Sequence, residues 1–236
     1  MMMEKHVISR ITTPRGEIQL QKNQNHYEIV INGVFVMATY NGFSEKQMFI
    51  TAFNYLDKPD KLHVLIGGLG VGYTLEAAVR KRRVEKIDVV EIEPSIIEWN
   101  KEYFCKLNKN AVFNKKVNLI NDDFRNFIKR TSNVYDIICV DVDNGPNWLV
   151  LETNEELYKE TSLYTMSNLL KRGGVLSIWS ASESSSLFEK MKGVFGNIFV
   201  KEVRQRYGEE KELASYVYVS KKIKNSTGKT DSQVKK

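Results

Sequence analysis

The chain has 236 residues, is 42% hydrophobic, and carries a formal net charge of +6 with two cysteines and three histidines. That length and apolar content fit one substantial core, or a large domain with a small appendage, and no apolar run approaches the ~20 residues that a bilayer span requires. The opening "MMMEKHVISR" lacks the apolar stretch of a signal peptide, Cys105 and Cys139 form no CxxC pattern, and His6, His26 and His63 are scattered, so the expectation is a cytoplasmic protein with no membrane association, no disulfide framework and no metal site.

The first predicted elements are short strands between residues 17 and 40: "EIQLQK", "HYEIVI" and "VFVMATY". They are separated by turn residues at Lys22–Asn25 and by Asn32-Gly33, an Asn-Gly pair that signals a tight hairpin. Asn41-Gly42 supplies another turn. Ser44, with Gln47 three residues on, resembles a capping box that opens a helix over 44–56. From Leu62 the texture changes to buried-strand runs alternating with helical stretches. These are "LHVLIGG", "YTLEAAVRKRR", "KIDVVEIE", "PSIIEWNKEYF", "VNLIN", "FRNFIKR", "YDIICVDV", "NEELYKETSLYTMSNLL", "GVLSIWS" and "SSLFEKMKGVF". That alternation implies a doubly wound, mostly parallel sheet covered by helices on both faces. Pro94 suits a first helical turn. "IFVKEVRQRY" and "LASYVYVSK", joined by "GEEKE" with no helix between, predict an antiparallel closing pair. The last sixteen residues hold six lysines against Asp231 alone, so most of the net charge sits in a polar end that reads as a solvated tail rather than a nucleic-acid arm. The expected division is a small N-terminal antiparallel β-hairpin unit (1–43), a Rossmann-like α/β domain (44–221) and a disordered basic tail (222–236).

In such sheets a ligand lies beyond the carboxyl ends of the strands near the topological switch point. The loop in "IGGLGVGYTL" (66–75) is at that end of the first core strand. Its glycines, Gly68, Gly70 and Gly72, permit close backbone approach, but Tyr73 stands where a dinucleotide fingerprint wants its third glycine, which weakens an NAD reading. The second core strand ends in "VVEIEP". Glu91 or Glu93 is suited to accept both hydroxyls of a ribose, and strand alternation puts the two on one face, so both stay open. After the third strand come Asp122 and Asp123, suited either to an adenine amino group or to capping the next helix. Asp141 and Asp143 end the fourth strand, where a carboxylate is costly unless bound or solvated. Asn144-Gly145-Pro146 then turns the chain into a loop able to lie over a ligand, with Trp148 as a wall of an acceptor pocket. Trp99 and Trp179 read as core. No Walker, HExxH or GxSxG pattern occurs.

These segments resemble the polyamine aminopropyltransferases, the spermidine synthase family, over residues 14–205. "INGVFVMATYNGFSEKQMF" is similar to that family's "LDGVxQLTExDEFxYQEM", "VLIGGLGVG" to "VLIIGGGDGG", "VVEIEPSII" to "VEIDxxVI", and "YDIICVDVDNGP" to a shortened "YDVIIxDSxDPxGP". "GLGxGYTL" and "DVDNGP" are closer still to a bacterial spermidine synthase-like subgroup that has no single activity. The resemblance implies a class I methyltransferase fold with an N-terminal β-hairpin unit, a homodimer, and a sulfonium nucleoside as donor substrate. It implies that Gly67, Gly68, Leu69, Gly70 and Gly72 pass under the donor's tail. Glu91, with Ile92, would hold the ribose, and Asp122, beside Asp123, the adenine. Asp141 matches the catalytic aspartate and also faces the donor. Asp143 stands for the second aspartate of that loop, beside Asn144 and Trp148 on the acceptor side.

Three departures bear on the donor. The family's loop aspartate, which meets the ammonium of decarboxylated S-adenosylmethionine, is Gly70 here. Its glutamine is Val36, and the tyrosine of "YQEM" is Glu45. An aspartate about 4 Å from the carboxylate of intact S-adenosylmethionine would repel it by on the order of 4 kcal/mol at intermediate dielectric. Gly70 removes that repulsion, so methyl transfer from S-adenosylmethionine to a small, amine-type acceptor is the favoured expectation. The alternatives are aminopropyl transfer from decarboxylated S-adenosylmethionine, with Glu45 as the substitute ammonium contact, and a non-catalytic nucleoside-binding protein.

Overall fold

The computed structural model describes residues 5–57, 60–207 and 211–223. The basic tail expected from residue 222 lies outside them from residue 224 onward, as do residues 208–210 of "GEEKE".

Four strands open the chain: β1 (His6–Thr13), β2 (Gly16–Asn23), β3 (His26–Ile31) and β4 (Val34–Ala38). They form one antiparallel meander in that order. Asn32 (φ 51°) and Gly33 (φ 78°) make the tight β3–β4 turn, the geometry that Asn-Gly favours. Ile18, Leu20 and Ile29 point into the core, while β1, an edge strand, is solvent-facing along most of its length. That outer strand escapes the sequence reading because almost none of its side chains is buried to impose a period.

Helix α1 (Phe43–Tyr55) follows. Its N-cap is Gly42, not Ser44 as the capping-box pattern predicts; Ser44 sits inside the first turn and its hydroxyl donates to Glu45 Oε2 at 2.6 Å. The α/β part then runs β5 (Leu62–Gly67), α2 (Tyr73–Val79), β6 (Val84–Glu91), α3 (Pro94–Glu102), β7 (Val117–Asn121), α4 (Phe124–Arg130) and β8 (Tyr135–Val140). It continues with α5 (Glu160–Leu169), β9 (Leu170–Ser180), α6 (Ser185–Phe195), β10 (Phe199–Tyr207) and β11 (Lys211–Lys221). Two predicted helices are shorter than expected. The one from Tyr73 stops at Val79, and the stretch from Asn154 splits into a 3-10 segment (Glu152–Tyr158) and α5 because Lys159 is extended, with φ −82° and ψ 152°.

The seven-stranded sheet has the order β10-β11-β9-β8-β5-β6-β7, and β11 runs antiparallel to both its neighbours, as the closing pair predicts. Alternate side chains feed two cores. Val64, Ile66, Val89, Ile137 and Val217 pack with α1, α2 and α3, together with Ile18, Leu20 and Ile29 of the small sheet. Leu65, Val90, Ile138 and Leu176 pack with α4, α5 and α6 on the other face. The order of connections reverses at β5, whose last residue, Gly67, pairs with Val90 on one side and Val140 on the other. This register brings the glycine loop, Glu91 and Asp141 to one edge of the sheet. At the opposite edge, Asp88 on β6 accepts from Asn118 of β7 and Tyr135 of β8, both at 3.0 Å, with His63 Nε2 of β5 at the same distance. That network ties four parallel strands together through one buried carboxylate.

The two sheets are clamped by an ion pair. Arg15, in the β1–β2 turn, donates to Glu93 through Nε at 2.5 Å and Nη2 at 3.0 Å, while Glu93 is 3% exposed. Removing one partner of a buried pair costs about 3–5 kcal/mol, and the part exposure of Arg15 reduces this through solvent screening. Arg15→Ala is therefore expected to destabilise by roughly 1–3 kcal/mol, and Glu93→Gln in the same chain to recover part of the loss. Paired denaturation curves measure both.

Candidate active site

The glycine loop is closed by Gly72 N–H donating to Leu69 O at 2.7 Å. A Cβ on Gly68 (φ +87°) would stand 2.0 Å from the carbonyl oxygen of Asp141, so the loop crosses the end of β8 in backbone contact. A Cβ on Gly67 would meet the Phe124 ring at 2.7 Å. Leu69 turns its side chain into the core and offers its N–H to Glu91 Oε2 at 2.8 Å. Gly72 caps α2 in a left-handed conformation. Tyr73, which breaks the dinucleotide pattern, ties the helix to the small sheet. Its hydroxyl donates to Thr39 O at the end of β4, and its ring fills the space beside Gly42.

The two glutamates that strand periodicity leaves undivided are separated by their partners. Glu93 belongs to Arg15. Glu91 is buried at the floor of a cavity and accepts from the N–H groups of Leu69 and Glu93, the latter at 2.9 Å. Burial nonetheless raises its pKa. Ile92 lines the same wall. The aspartates of the next strand end also divide. Asp123 caps α4 by accepting from Arg125 N–H at 2.8 Å and pairs with the Arg125 guanidinium; burial acts to raise its pKa, but these bonds hold it low. Asp122, expected at the adenine, pairs with Arg130 and is not among the residues lining the cavity, whereas Asp123 and Phe124 are.

Asp141 Oδ2 accepts from the hydroxyl of Thr74 at 2.9 Å, and its own N–H donates to Gly67 O at 2.7 Å. Burial pushes its carboxyl up to about 6, with the Thr74 hydroxyl holding it back. Glu45, 5% exposed, lines the same cavity from the first turn of α1. Burial, and then the charge of Asp141, push it up to about 8. Thr74 links the two residues, since its hydroxyl also lies 3.3 Å from Glu45 O.

Asp143 does other work. Its carboxylate accepts from Asn144 N–H (2.8 Å), Val150 N–H (2.6 Å), Leu151 N–H (3.5 Å) and the Asn154 side-chain amide (2.8 Å). These bonds occupy its lone pairs and fix the loop that Asn144-Gly145-Pro146 begins, on the wall of the same cavity. Asn144 lines the cavity, its amide 3.5 Å from Phe35 O across the gap to β4. Trp148 is 66% exposed and outside the cavity; the indole that does line it is Trp179, which also packs against the core as the sequence expects. Sequence reasoning also missed Arg15, Thr74 and Met37. For Thr74 a signal existed, a hydroxyl in the first helical turn after a glycine loop. For Arg15 and Met37 there was none, because only the fold brings the small sheet over the loop.

Met37 changes the meaning of Gly70. Its Sδ accepts from Val71 N–H at 3.1 Å, and a Cβ on Gly70 (φ +51°) would stand 2.7 Å from the same sulfur. The space that an aspartate would take at residue 70 is thus filled by a thioether, with Val36, Ile18 and Ile31 alongside.

Sheet order and the placement of the glycine loop define an α/β protein of the methyltransferase-like kind with an added antiparallel sheet. The family model described as the spermine/spermidine synthase domain matches residues 42–204, and the chain belongs to this family. It is 30% identical over 166 residues to the polyamine aminopropyltransferase of Saccharolobus solfataricus, covering 70% of this chain and 51% of that protein. It is 29% identical over 168 residues to the polyamine aminopropyltransferase of Buchnera aphidicola subsp. Acyrthosiphon pisum, covering 69% and 55%. The chain thus spans about half the length of the curated relatives it matches. A crystal structure of spermidine synthase in complex with the transition-state analogue AdoDATO superposes with a TM-score of 0.74 at 16% identity, over 93% of this chain and 74% of that one. Spermidine synthase from Thermotoga maritima gives the same values.

Proposed function

We propose that this chain is an aminopropyltransferase: it binds decarboxylated S-adenosylmethionine and passes the aminopropyl group from sulfur to a primary amine. The observation that carries this reading is a single cavity in which a glycine loop and a buried ribose-type acid, Glu91, adjoin two carboxylates, Glu45 and Asp141, that form no ion pair with any described residue. A cationic amine answers that charge. Family membership, with relatives named polyamine aminopropyltransferases, supports aminopropyl over methyl transfer.

In the reaction the amine lone pair forms the C–N bond as the C–S bond breaks, and the electron pair goes to sulfur, leaving a thioether. The donor supplies the reactivity. The protein's part is to align the nucleophile, worth up to roughly 7–11 kcal/mol, and to take a proton from it at the Asp141 carboxylate.

A thermal-unfolding panel of methylthioadenosine, both forms of S-adenosylmethionine and NAD tests the reading. A ligand at 100 times its dissociation constant adds about 2.7 kcal/mol. Methylthioadenosine and the decarboxylated donor are expected to stabilise the protein and NAD to leave it unchanged. Stabilisation by the intact donor alone would return the assignment to methyl transfer.

A further inference from the structure

Around the cavity, each carboxylate but two has a paired cation or at least two backbone N–H groups. Glu93 has Arg15, Asp123 has Arg125, Asp143 has three N–H groups and Asn154, and Glu91 has two N–H groups. Glu45 has the Ser44 hydroxyl and its own backbone N–H, Asp141 has the Thr74 hydroxyl, and neither forms an ion pair with any described residue. Lys46, on the same turn as Glu45, is directed to Glu76 on α2 at 2.6 Å and lies 4.7 Å over the Tyr73 ring. Among the described residues lining the cavity Arg15 is the one cation, and Glu93 holds it. A buried acid and a half-buried one facing the same cavity without a paired cation resist ionising together; they keep a proton between them or take a cation from a ligand.

We propose that Glu45 and Asp141 form one proton-sharing pair that selects the acceptor: an alkylammonium enters in exchange for the shared proton, and the pair takes a proton back as the amine becomes the nucleophile. This rests on the transferase reading. Glu45 is the specificity-determining member, a carboxylate where the family pattern has a neutral phenol. Protons balance over the cycle. The resting pair holds one proton and releases it to solvent as R–NH3+ binds. The ammonium then protonates the pair and becomes R–NH2, which attacks the carbon on sulfur. The product leaves as a secondary ammonium, and the pair again holds one proton. The groups facing Glu45 are Asp141 from the end of β8, Tyr73 and Thr74 from α2, and Ser44 and Lys46 from its own helix, with Glu76 of α2 behind Lys46.

The test titrates 1,4-diaminobutane into the full chain saturated with methylthioadenosine, calorimetrically, in two buffers of different ionisation enthalpy. About one proton is expected to leave per diamine at pH 7, the number falling as pH rises past the titration of the pair. In Glu45→Gln the release is lost and diamine affinity drops at least about tenfold, while methylthioadenosine binds as before. A ligand-free readout is the pH profile of stability. The folded pair keeps a proton that the unfolded chain has lost, so raising the pH above the ordinary glutamate range towards 8 costs the native protein stability. Glu45→Gln should gain on it across that window. Unchanged proton release in the variant, equal binding of uncharged 1,4-butanediol, or parallel pH profiles overturn the proposal. Failure of methylthioadenosine to bind overturns the transferase reading itself.

Discussion

Asp141→Asn is expected to lower turnover of decarboxylated S-adenosylmethionine with a diamine by about 10²–10⁴, while methylthioadenosine affinity stays within about twofold. The substitution keeps the size of the side chain and an acceptor for Thr74, whose hydroxyl lies 2.9 Å from Oδ2. What it removes is the capacity to take a proton at the point where Glu45 and Asp141 face the cavity together. General-base loss of that size corresponds to roughly 3–5 kcal/mol of transition-state stabilisation. Because Glu91 and the Leu69 N–H are untouched, the nucleoside end should report a folded site. Initial rates of thioether release, with equilibrium binding alongside, separate the two. Full activity in Asp141→Asn would mean that the amine loses its proton elsewhere, and the role assigned to the carboxylate would fail.

The α/β architecture was legible because a parallel sheet buried on both faces writes itself as apolar runs, and "LHVLIGG", "KIDVVEIE" and "YDIICVDV" are such runs. The antiparallel end was legible from the helix-free link between β10 and β11. What stayed hidden had no period or depended on contacts between distant segments. Strand β1 is exposed along most of its length, so nothing in its sequence alternates. Glu91 and Glu93 share a face and differ only through Arg15, 78 residues before Glu93. Asp141 and Asp143 are equivalent by alternation, yet Asp143 faces the N–H groups of a loop that folds back on it. Trp148 departs from its expected place for a related reason. An aromatic next to an Asn-Gly-Pro turn reads as a pocket wall, but the turn carries Trp148 outward, while the end of β9 brings Trp179 to the cavity. Gly70 misleads in the same way. Sequence sets it against an absent aspartate, and its true neighbour is Met37, contributed by the other sheet.

Gly68→Ala is expected to cost about 3–5 kcal/mol and to abolish nucleoside binding, although it adds a single methyl group. Three effects act together. At φ +87° an alanine is strained by about 1–2 kcal/mol. Its Cβ would lie 2.0 Å from the carbonyl oxygen of Asp141, 2.7 Å from the carbonyl carbon and 3.2 Å from Val142 Cα, all backbone atoms that no rotamer change can move. Relief therefore requires the loop and the end of β8 to part. That displaces the Leu69 N–H from Glu91 and the Asp141 N–H from Gly67 O, the bonds that align the nucleoside floor with the carboxylate. Gly193→Ala, in the interior of α6 with nothing within 4 Å of the added Cβ, is the control and should stabilise by roughly 0.5–1 kcal/mol. Opposite signs for the same substitution would tie the cost at Gly68 to the crossing of loop and strand. A loss at Gly68 no larger than about 1 kcal/mol, with binding intact, would show that the loop yields without opening the site.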